Sequence, residues 1–191
     1  MSSTCRAPMV LDACVGSACM YQTWHKNLGD SFISIDIRKG DYSFDYENRA
    51  TPKTVIVRPT ILADMKHLPF KDGAFDTVNI DPPHFTCGIT GFLNKLYGSW
   101  TQAELKESIK YANAEFARVL RDGGSLNLKI MPADLDTYQR LFSNFAFYWP
   151  IQTYRPSGIV KGTRKEQNAA IFILGVKVAE QVKPLEVACI A

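Results

Sequence analysis

Short apolar runs separated by helical or loop segments recur along this chain, and that alternation constrains the fold more than any other feature. Runs typical of buried strands occupy residues 9–13, 32–36, 61–64, 75–80 and 125–130. Strands that alternate with helices are typical of βαβ units, in which parallel strands form one sheet with helices on its faces. The sequence therefore predicts an α/β fold with a mostly parallel sheet.

The clearest helix begins after Thr101. Thr101 and Glu104 have the spacing of a capping box, and apolar residues then recur at helical spacing. We expect Gly123 and Gly124 to end this helix, because glycine is common just beyond a helix C-terminus. Further helices are predicted at residues 18–26 and 133–144.

The remaining segments are less regular. Residues 38–53 are polar and turn-rich, so we interpret them as a loop, followed by a short additional strand at 54–57. Segments near 150–154 and 169–178 are expected to form a closing pair of strands. The tail from residue 180 is expected to be weakly ordered.

Length and composition fit one domain. The chain has 191 residues, of which 46% are apolar and 21% are charged. We expect a single domain over residues 1–191, with its core at about 8–178 and a tail at 180–191. The net charge of +3 allows a polyanionic partner without requiring one.

Cysteine usage and hydropathy indicate the compartment. The five cysteines are scattered and show no CxxC or Cys/His ligand spacing, so we expect free thiols and no metal site. The N-terminus lacks the apolar stretch of a signal peptide, and no run reaches membrane-spanning length. The sequence therefore predicts a cytoplasmic (intracellular) protein with no membrane partner.

Aspartates end or follow four of the predicted strands, namely Asp12, Asp36, Asp64 and Asp81. In open parallel sheets, ligands bind outside the carboxyl ends of the strands, where the strand order reverses. Gly16 follows the first strand and permits a close approach to the backbone. The segment lacks a full GxGxxG, which disfavours a phosphate-cradling dinucleotide site. Asp36 stands 24 residues after Asp12, the spacing expected of a carboxylate that binds ribose hydroxyls.

A rigid polar clamp follows the strand at 75–80, where the chain reads Asp81, Pro82, Pro83, His84 and Phe85. The prolines favour extended geometry and remove backbone donors, so nearby carbonyl oxygens are left free to accept hydrogen bonds. Asp81 adds a second acceptor, and His84 or Phe85 offers a flat face. Two acceptors beside a stacking surface suit a planar ring that bears an NH2 group.

This clamp resembles the [D/N/S]-P-P-[Y/F/W/H] motif, or DPPY motif, of the amino-methyltransferases. These enzymes use S-adenosylmethionine to methylate exocyclic or amide nitrogens. VLDACVGSA is similar to their first motif, with Ala18 in place of the last glycine, and FISIDI is similar to the second. ILADMKHLPFKDGAFDTVNIDPP is similar to the third-to-fourth motif stretch. Over residues 8–178 the chain resembles the class I S-adenosylmethionine-dependent methyltransferases.

The resemblance implies a single Rossmann-like, doubly wound sheet of about seven strands, mostly parallel with an antiparallel last strand. It also implies S-adenosyl-L-methionine as the cofactor. By this resemblance Asp12 orients the glycine turn and the methionine moiety, Asp36 holds the ribose, and Asp64 with Met65 holds the adenine. The expected cofactor-binding residues are Asp12, Cys14, Gly16, Asp36, Ile37, Asp64, Met65 and Asp81. The expected catalytic residues are Asp81, Pro82, Pro83 and His84.

The chemistry explains the clamp. Methyl transfer from a sulfonium needs a nitrogen lone pair aimed at the methyl carbon, but the lone pair of an exocyclic amino group is delocalised into its ring. Hydrogen bonds from the NH2 group to Asp81 and to the carbonyl of Pro82 favour the localised form. They strengthen as positive charge develops on the nitrogen, which is what catalysis requires.

We expect an N-methyltransferase acting on adenine N6 of DNA or RNA, so that a nucleic acid is the expected substrate. Phe85, Tyr154, Arg155 and Lys161 are the expected substrate-binding residues. The chain has almost no region beyond the methyltransferase motifs to recognise a target. Recognition therefore lies either in a partner protein or in the 84–100 loop together with the basic 155–165 segment.

Two alternatives stay open. One keeps the enzyme and changes its target to protein glutamine or a small molecule, and the other is a catalytically silent scaffold subunit of the same fold. Asn127 and Lys129 share one face of the predicted strand at 125–130 by alternation. Their interpretation is open between a contact with the site and a solvated strand end.

Overall fold

The computed structural model describes residues 6–16, 27–44, 53–83, 98–130, 134–148, 152–154 and 170–178. The strands are β1 (Val10–Asp12), β2 (Phe32–Asp36), β3 (Gly40–Phe44), β4 (Lys53–Val57), β5 (Ile61–Leu62), β6 (Phe75–Ile80), β7 (Leu120–Ile130), β8 (Phe145–Phe147), β9 (Gln152–Tyr154) and β10 (Ala170–Lys177). The helices with complete bounds are α1 (Gln102–Val119) and α2 (Leu135–Leu141), and a 3-10 turn covers Gly29–Ser31.

Within the described part of the chain, eight strands form one sheet in the order β5-β2-β1-β6-β7-β10-β8, with β9 beside β10. Five adjacent strands of the sheet are parallel to one another, namely β5, β2, β1, β6 and β7. Strand β10 is antiparallel to β7, β8 and β9. β8 and β9 pair with opposite ends of β10, so the two share one edge position. Seven strand positions, mostly parallel with one antiparallel strand, confirm the expected Rossmann-like α/β fold.

The strand order reverses at β1. The chain passes from β1 to β2 on one side and later returns to β6 on the other side. Asp12, at the carboxyl end of β1, lies in register with Ser34 of β2 and Asn79 of β6. In open α/β sheets a ligand crevice forms above such a reversal, so the fold places the end of β1 at its centre.

The hydrophobic core lies between the sheet and α1. One face of the sheet carries apolar side chains that are fully or almost fully buried. Val78 and Ile80 of β6 lie on this face, beside apolar residues of the neighbouring strands. Leu105, Ile109 and Phe116 of α1 recur at helical spacing, and each is 0% exposed. This face packs the apolar side chains against the helix and holds the strands in register.

Helix α1 begins as predicted and ends earlier than predicted. The Thr101 hydroxyl accepts a hydrogen bond from the Glu104 N–H at 3.2 Å, and Glu104 Oε2 accepts from the Thr101 N–H at 2.7 Å, which confirms the capping box. The expectation that Gly123 and Gly124 stop the helix is wrong, because β7 already begins at Leu120. The glycines lie in an irregularity of β7, where Gly123 has a φ of +70° and a Cβ on Gly124 would lie 2.8 Å from a backbone oxygen.

The loop interpretation of residues 38–53 is wrong over residues 40–44. There β3 pairs with β4 as an antiparallel ribbon. Val55 and Val57 are buried and pack with Tyr42, whereas Ser43 and Thr54 hydrogen bond to each other on the exposed side. A ribbon with one solvated face has a polar composition, and that composition favoured a loop in the sequence.

Other predicted elements differ mainly at their ends. The second and fourth predicted strands have the bounds of β2 and β6, whereas α2 is shorter than predicted and β8 was not predicted. The predicted helix at 18–26, most of the 84–100 loop, the basic 155–165 segment and the tail from 180 lie outside the described residues. None of the helices described here is long and apolar enough to cross a membrane.

Candidate active site at the carboxyl edge of the sheet

The turn after β1 bridges the two strands that flank it. The Ala13 N–H donates to the Asn79 carbonyl of β6 at 2.9 Å, and the Val15 N–H donates to the Ile35 carbonyl of β2 at 3.1 Å. Gly16 has a φ of +50°, a left-handed conformation that side chains with a Cβ rarely adopt. The turn is therefore fixed directly above the strand-order reversal, and its shape requires glycine at position 16.

Asp12 is buried beneath this turn. Its Oδ1 accepts a hydrogen bond from the Cys14 N–H at 3.3 Å. Its Oδ2 is also buried and has no hydrogen-bond partner among the described residues. Burial raises the pKa of Asp12 from 3.8 to about 8, with Asp81 and Asp36 adding to the rise and the Cys14 N–H opposing it. Asp12 is therefore largely protonated at neutral pH, and one of its oxygens is available to a ligand.

Asp36 holds the same turn from the β2 side. Its Oδ2 accepts from the Gly16 N–H at 3.0 Å, and its Oδ1 accepts from the Arg38 N–H at 2.8 Å. The Arg38 guanidinium also contacts this carboxylate, at 3.2 Å from Nε to Oδ1. Nη2 of Arg38 lies 3.4 Å from Oδ2. Each carboxylate oxygen therefore already has two donors, the number it can accept, and a ligand hydroxyl here would replace a contact with Arg38. Ile37, the next residue, is 69% exposed.

Met65 and Cys14 bring the segment after β5 to the turn after β1. Cys14 Sγ donates to Met65 Sδ at 3.7 Å, and Met65 is buried. The pKa of the Cys14 thiol is raised well above its usual value, first by burial and then by Asp36, Asp12 and Asp81. The thiol is therefore protonated and acts as a donor rather than a nucleophile.

Asp64 has a different environment from the other predicted aspartates. Its Oδ1 accepts from the Lys66 N–H at 2.9 Å, and Lys66 Nζ lies 3.6 Å from its Oδ2. Its side chain is 38% exposed. Asp64 thus caps the turn after β5 at the rim of the edge, with room for a further donor.

Asp81 follows β6 and is held on one side only. Its Oδ2 lies 2.5 Å from Nζ of Lys129 on β7, in an ion pair that is mostly buried. Its Oδ1 is buried and has no partner in the described part of the chain. Pro82 is buried and Pro83 is half-buried; Gly98 packs beside Pro83. The clamp is therefore rigid, with one carboxylate oxygen left as an acceptor.

The predicted site residues thus divide into two groups. The structure brings Asp12, Cys14, Gly16, Asp36, Met65 and Asp81 together around the end of β1, with Ile37 and Asp64 at the rim. His84, Phe85, Arg155 and Lys161 lie outside the described residues, and for Tyr154 only its place in β9, paired with Ala170, is described.

Sequence reasoning missed three contributors to this edge: Arg38, Asn79 and Tyr138. Lys129 and Asn127 are strand residues that contact the site region, which decides the question left open by the sequence. Tyr138 of α2 is buried, and its pKa is raised by burial and then by Asp134, Cys14 and Asp81, so α2 packs within electrostatic range of the turn. Only the parallel register of β6 with β7 would have indicated the role of Lys129.

Three carboxyl groups, Asp12, Asp36 and Asp81, therefore converge on one edge. Arg38 pairs with Asp36 and Lys129 with Asp81, whereas Asp12 has no cation beside it among the described residues. The described residues contain no group of three or more His, Cys, Asp and Glu side chains arranged to hold a metal ion. Asp12 Oδ2 and Asp81 Oδ1, which have no partner among the described residues, lie beside a glycine turn and fit a ligand that carries hydrogen-bond donors.

Comparison with known proteins identifies the fold. No family model matches the chain, and no curated protein matches it. Among solved structures, an S-adenosylmethionine-dependent methyltransferase from Methanosarcina mazei aligns with a TM-score of 0.52 and 15% identity over 91% of this chain and 93% of its own. TrmN from Thermus thermophilus aligns with a TM-score of 0.56 and 16% identity over 90% of this chain and 44% of its own.

A third neighbour was solved as a complex. It is the complex between the Trm112 methyltransferase activator of Haloferax volcanii and the putative methyltransferase. A chain of this complex aligns with a TM-score of 0.53 and 11% identity over 93% of this chain and 85% of its own. At these identities the likeness is one of fold. The chain has the fold of the class I S-adenosylmethionine-dependent methyltransferases.

Proposed function

We propose that the protein is an S-adenosylmethionine-dependent N-methyltransferase acting on adenine N6 of DNA or RNA. The observation that carries the proposal is the state of Asp81. One of its oxygens is held by Lys129, and the other is buried at the carboxyl end of β6 without a partner among the described residues. An acceptor left free beside two prolines, next to the strand-order reversal, suits an amino group of a substrate.

The edge fits the cofactor. S-adenosylmethionine, when bound, supplies an electrophilic methyl group on a cationic sulfur and carries a further ammonium group. Asp12 and the Gly16 turn would hold its methionine moiety, Asp36 its ribose hydroxyls, and Asp64 with Met65 its adenine. The low exposure of Asp36 makes its interaction with a cation stronger than it would be in bulk water, whereas Asp12 would act as a buried hydrogen-bonding group.

Asp81 and the Pro82 carbonyl activate the amino group of the substrate. Asp81 Oδ1 accepts one N–H of the amino group and the Pro82 carbonyl accepts the other, which localises the nitrogen lone pair. Positive charge develops on that nitrogen as it bonds to carbon, so both hydrogen bonds strengthen in the transition state. The proton that leaves afterwards is taken up by Asp81. No further base is needed, because the amino group becomes acidic once it is methylated and cationic.

The nucleic-acid target needs a recognition surface. We propose that it is supplied by the 84–100 loop and the 155–165 segment, with Phe85 and Tyr154 stacking on a base and Arg155 and Lys161 contacting phosphates. A partner protein is the other source of recognition. The neighbour complexed with Trm112 shows that a chain of this fold pairs with an activator.

The test is incubation of the purified protein with S-adenosylmethionine labelled on its methyl group and with separate pools of DNA, RNA and protein. We expect label in a nucleic-acid pool, and digestion of that pool should release N6-methyladenosine or its deoxy form. Label in protein or in small molecules would support the alternative target. Absence of label from every pool, despite tight cofactor binding, would support the silent scaffold subunit.

A matched pair of variants assigns the chemistry. We expect Asp81→Ala to abolish transfer and to leave cofactor binding nearly intact, because the variant loses the acceptor at the substrate and keeps Asp12 and Asp36. Asp30→Ala, an exposed aspartate in the 3-10 turn, is the control and should retain full activity. Substantial turnover by Asp81→Ala would overturn the role assigned to Asp81.

A further inference from the structure

Strands β6 and β7 are joined by a row of polar side chains on one face. Thr77 is in register with Ser125, and their hydroxyls hydrogen bond at 2.9 Å. Asn79 is in register with Asn127, whose Nδ2 donates to Asn79 Oδ1 at 2.8 Å. Two residues further along the same face, Asp81 and Lys129 form the third pair of the row.

Lys129 is enclosed by the sheet. Its side chain is 13% exposed, and it lies between Asp81 on one side and its register partner Phe172 of β10 on the other. A mostly buried ammonium group is costly unless it is paired with a carboxylate. The ion pair with Asp81 is therefore its stable arrangement, and the lysine has little freedom to turn elsewhere.

The pairing divides the two oxygens of Asp81. Oδ2 lies 2.5 Å from the ammonium group, whereas Oδ1 is buried and has no partner within the described ranges of the chain. A carboxylate without such an anchor can rotate about its Cβ–Cγ bond, because this torsion is broad. The ammonium group removes that freedom and fixes which oxygen faces the substrate.

We propose that Lys129 is a positioning residue of the methyl-transfer site, holding Oδ2 of Asp81 so that Oδ1 alone accepts the amino group of the substrate. This inference rests on the proposed function. Lys129 itself contacts neither substrate nor cofactor in this scheme. Its own positive charge opposes the charge that develops on the nitrogen, so its benefit comes from geometry and not from electrostatic stabilisation.

The proposal is tested by a double-mutant cycle on the full chain. Lys129→Met keeps the length of the side chain and removes the ammonium group. It should lower kcat about 100-fold, the size of loss that follows a misplacement of about 1 Å, with little change in KM or in cofactor Kd. In Asp81→Asn the ammonium group takes the single amide oxygen and the amide NH2 faces the substrate, so adding Lys129→Met to Asp81→Asn should lower kcat less than about threefold further.

Controls separate folding from positioning. Lys110→Met, at an exposed position of α1, should leave kcat unchanged. If Lys129→Met fails to fold, the cycle is run with Lys129→Gln, whose amide N–H can still reach toward Oδ2. In the wild-type background we expect Lys129→Gln to retain more activity than a variant that lacks any donor, such as Lys129→Leu.

Each outcome has one meaning. An equal loss in both Asp81 backgrounds, a loss confined to KM, or wild-type kcat in Lys129→Met would overturn the positioning role and leave the methyltransferase proposal standing. A wild-type protein that binds the cofactor and methylates nothing would overturn the proposed function, and the role of Lys129 with it.

Discussion

Replacement of Asp12 by asparagine should stabilise the protein in a pH-dependent way. In the folded state burial raises the pKa of Asp12 from 3.8 to about 8, whereas in the unfolded chain the group titrates near 3.8. Between these values the folded state binds one proton more than the unfolded state. The contribution of Asp12 to the free energy of unfolding therefore falls as pH rises through this window.

The window spans about four pH units, and each unit corresponds to about 1.4 kcal/mol. The contribution of Asp12 to the free energy of unfolding thus falls by on the order of 5 kcal/mol across the window. The total stability of a typical domain is about 5–15 kcal/mol. An asparagine in its place stays neutral at every pH, and its Oδ1 can still accept from the Cys14 N–H. Asp12→Asn should therefore match the wild type near pH 4 and exceed it increasingly toward pH 8.

The assay is urea unfolding of the cofactor-free protein at several pH values between 4 and 8. The difference in free energy of unfolding between Asp12→Asn and the wild type should grow by about 1.4 kcal/mol per pH unit in the middle of the window, and more slowly as the pH approaches either pKa. Asp30→Asn, at an exposed position, should show no such growth. A difference that is constant with pH would refute the reasoning, since it would mean that Asp12 titrates alike in the folded and unfolded states.

Further predictions concern the turn and the helix that frame the site. Gly16→Ala should destabilise the protein by about 1–2 kcal/mol, because position 16 has a φ of +50°, and should weaken cofactor binding; thermal unfolding and calorimetric titration measure the two effects, and an unchanged melting temperature would contradict the conformational argument. Thr101→Ala should cost about 1 kcal/mol by removing the cap of α1, whereas Thr101→Ser should retain most of it. A loss of equal size in both Thr101 variants would mean that the cap hydrogen bond is not the cause.

The sequence predicted the elements whose pattern is local. β2 and β6 are short runs rich in large apolar residues and bounded by turns. The two residues of the α1 capping box are only three positions apart. The aspartates at strand ends were predicted to share one edge because parallel strands bring their carboxyl ends together, and Asp12, Asp36 and Asp81 do so. The domain boundaries and the catalytic, cofactor-binding and substrate-binding roles of the site residues stay predictions.

The structural features that could not be predicted from the sequence depend mainly on pairing between distant segments. The ribbon of β3 and β4 looks like a loop until Tyr42 is seen to pack with Val55 and Val57 across it. The alternation of Asn127 and Lys129 leaves their role open until β7 is placed beside β6 in a register that brings Lys129 to Asp81. The contact of Arg38 with Asp36 is local instead, and it follows from the turn after β2 and not from any motif.

The central claim is that the carboxyl edge of the sheet, between the Gly16 turn and Asp81, binds S-adenosylmethionine. Isothermal titration of the purified wild-type chain with S-adenosylmethionine tests it most directly, with Asp36→Ala as the variant expected to lose binding. We expect saturable binding of one cofactor molecule per chain in the wild type, and binding at least tenfold weaker in Asp36→Ala. Absence of binding in the wild type, or unchanged affinity in a folded Asp36→Ala, would contradict the account.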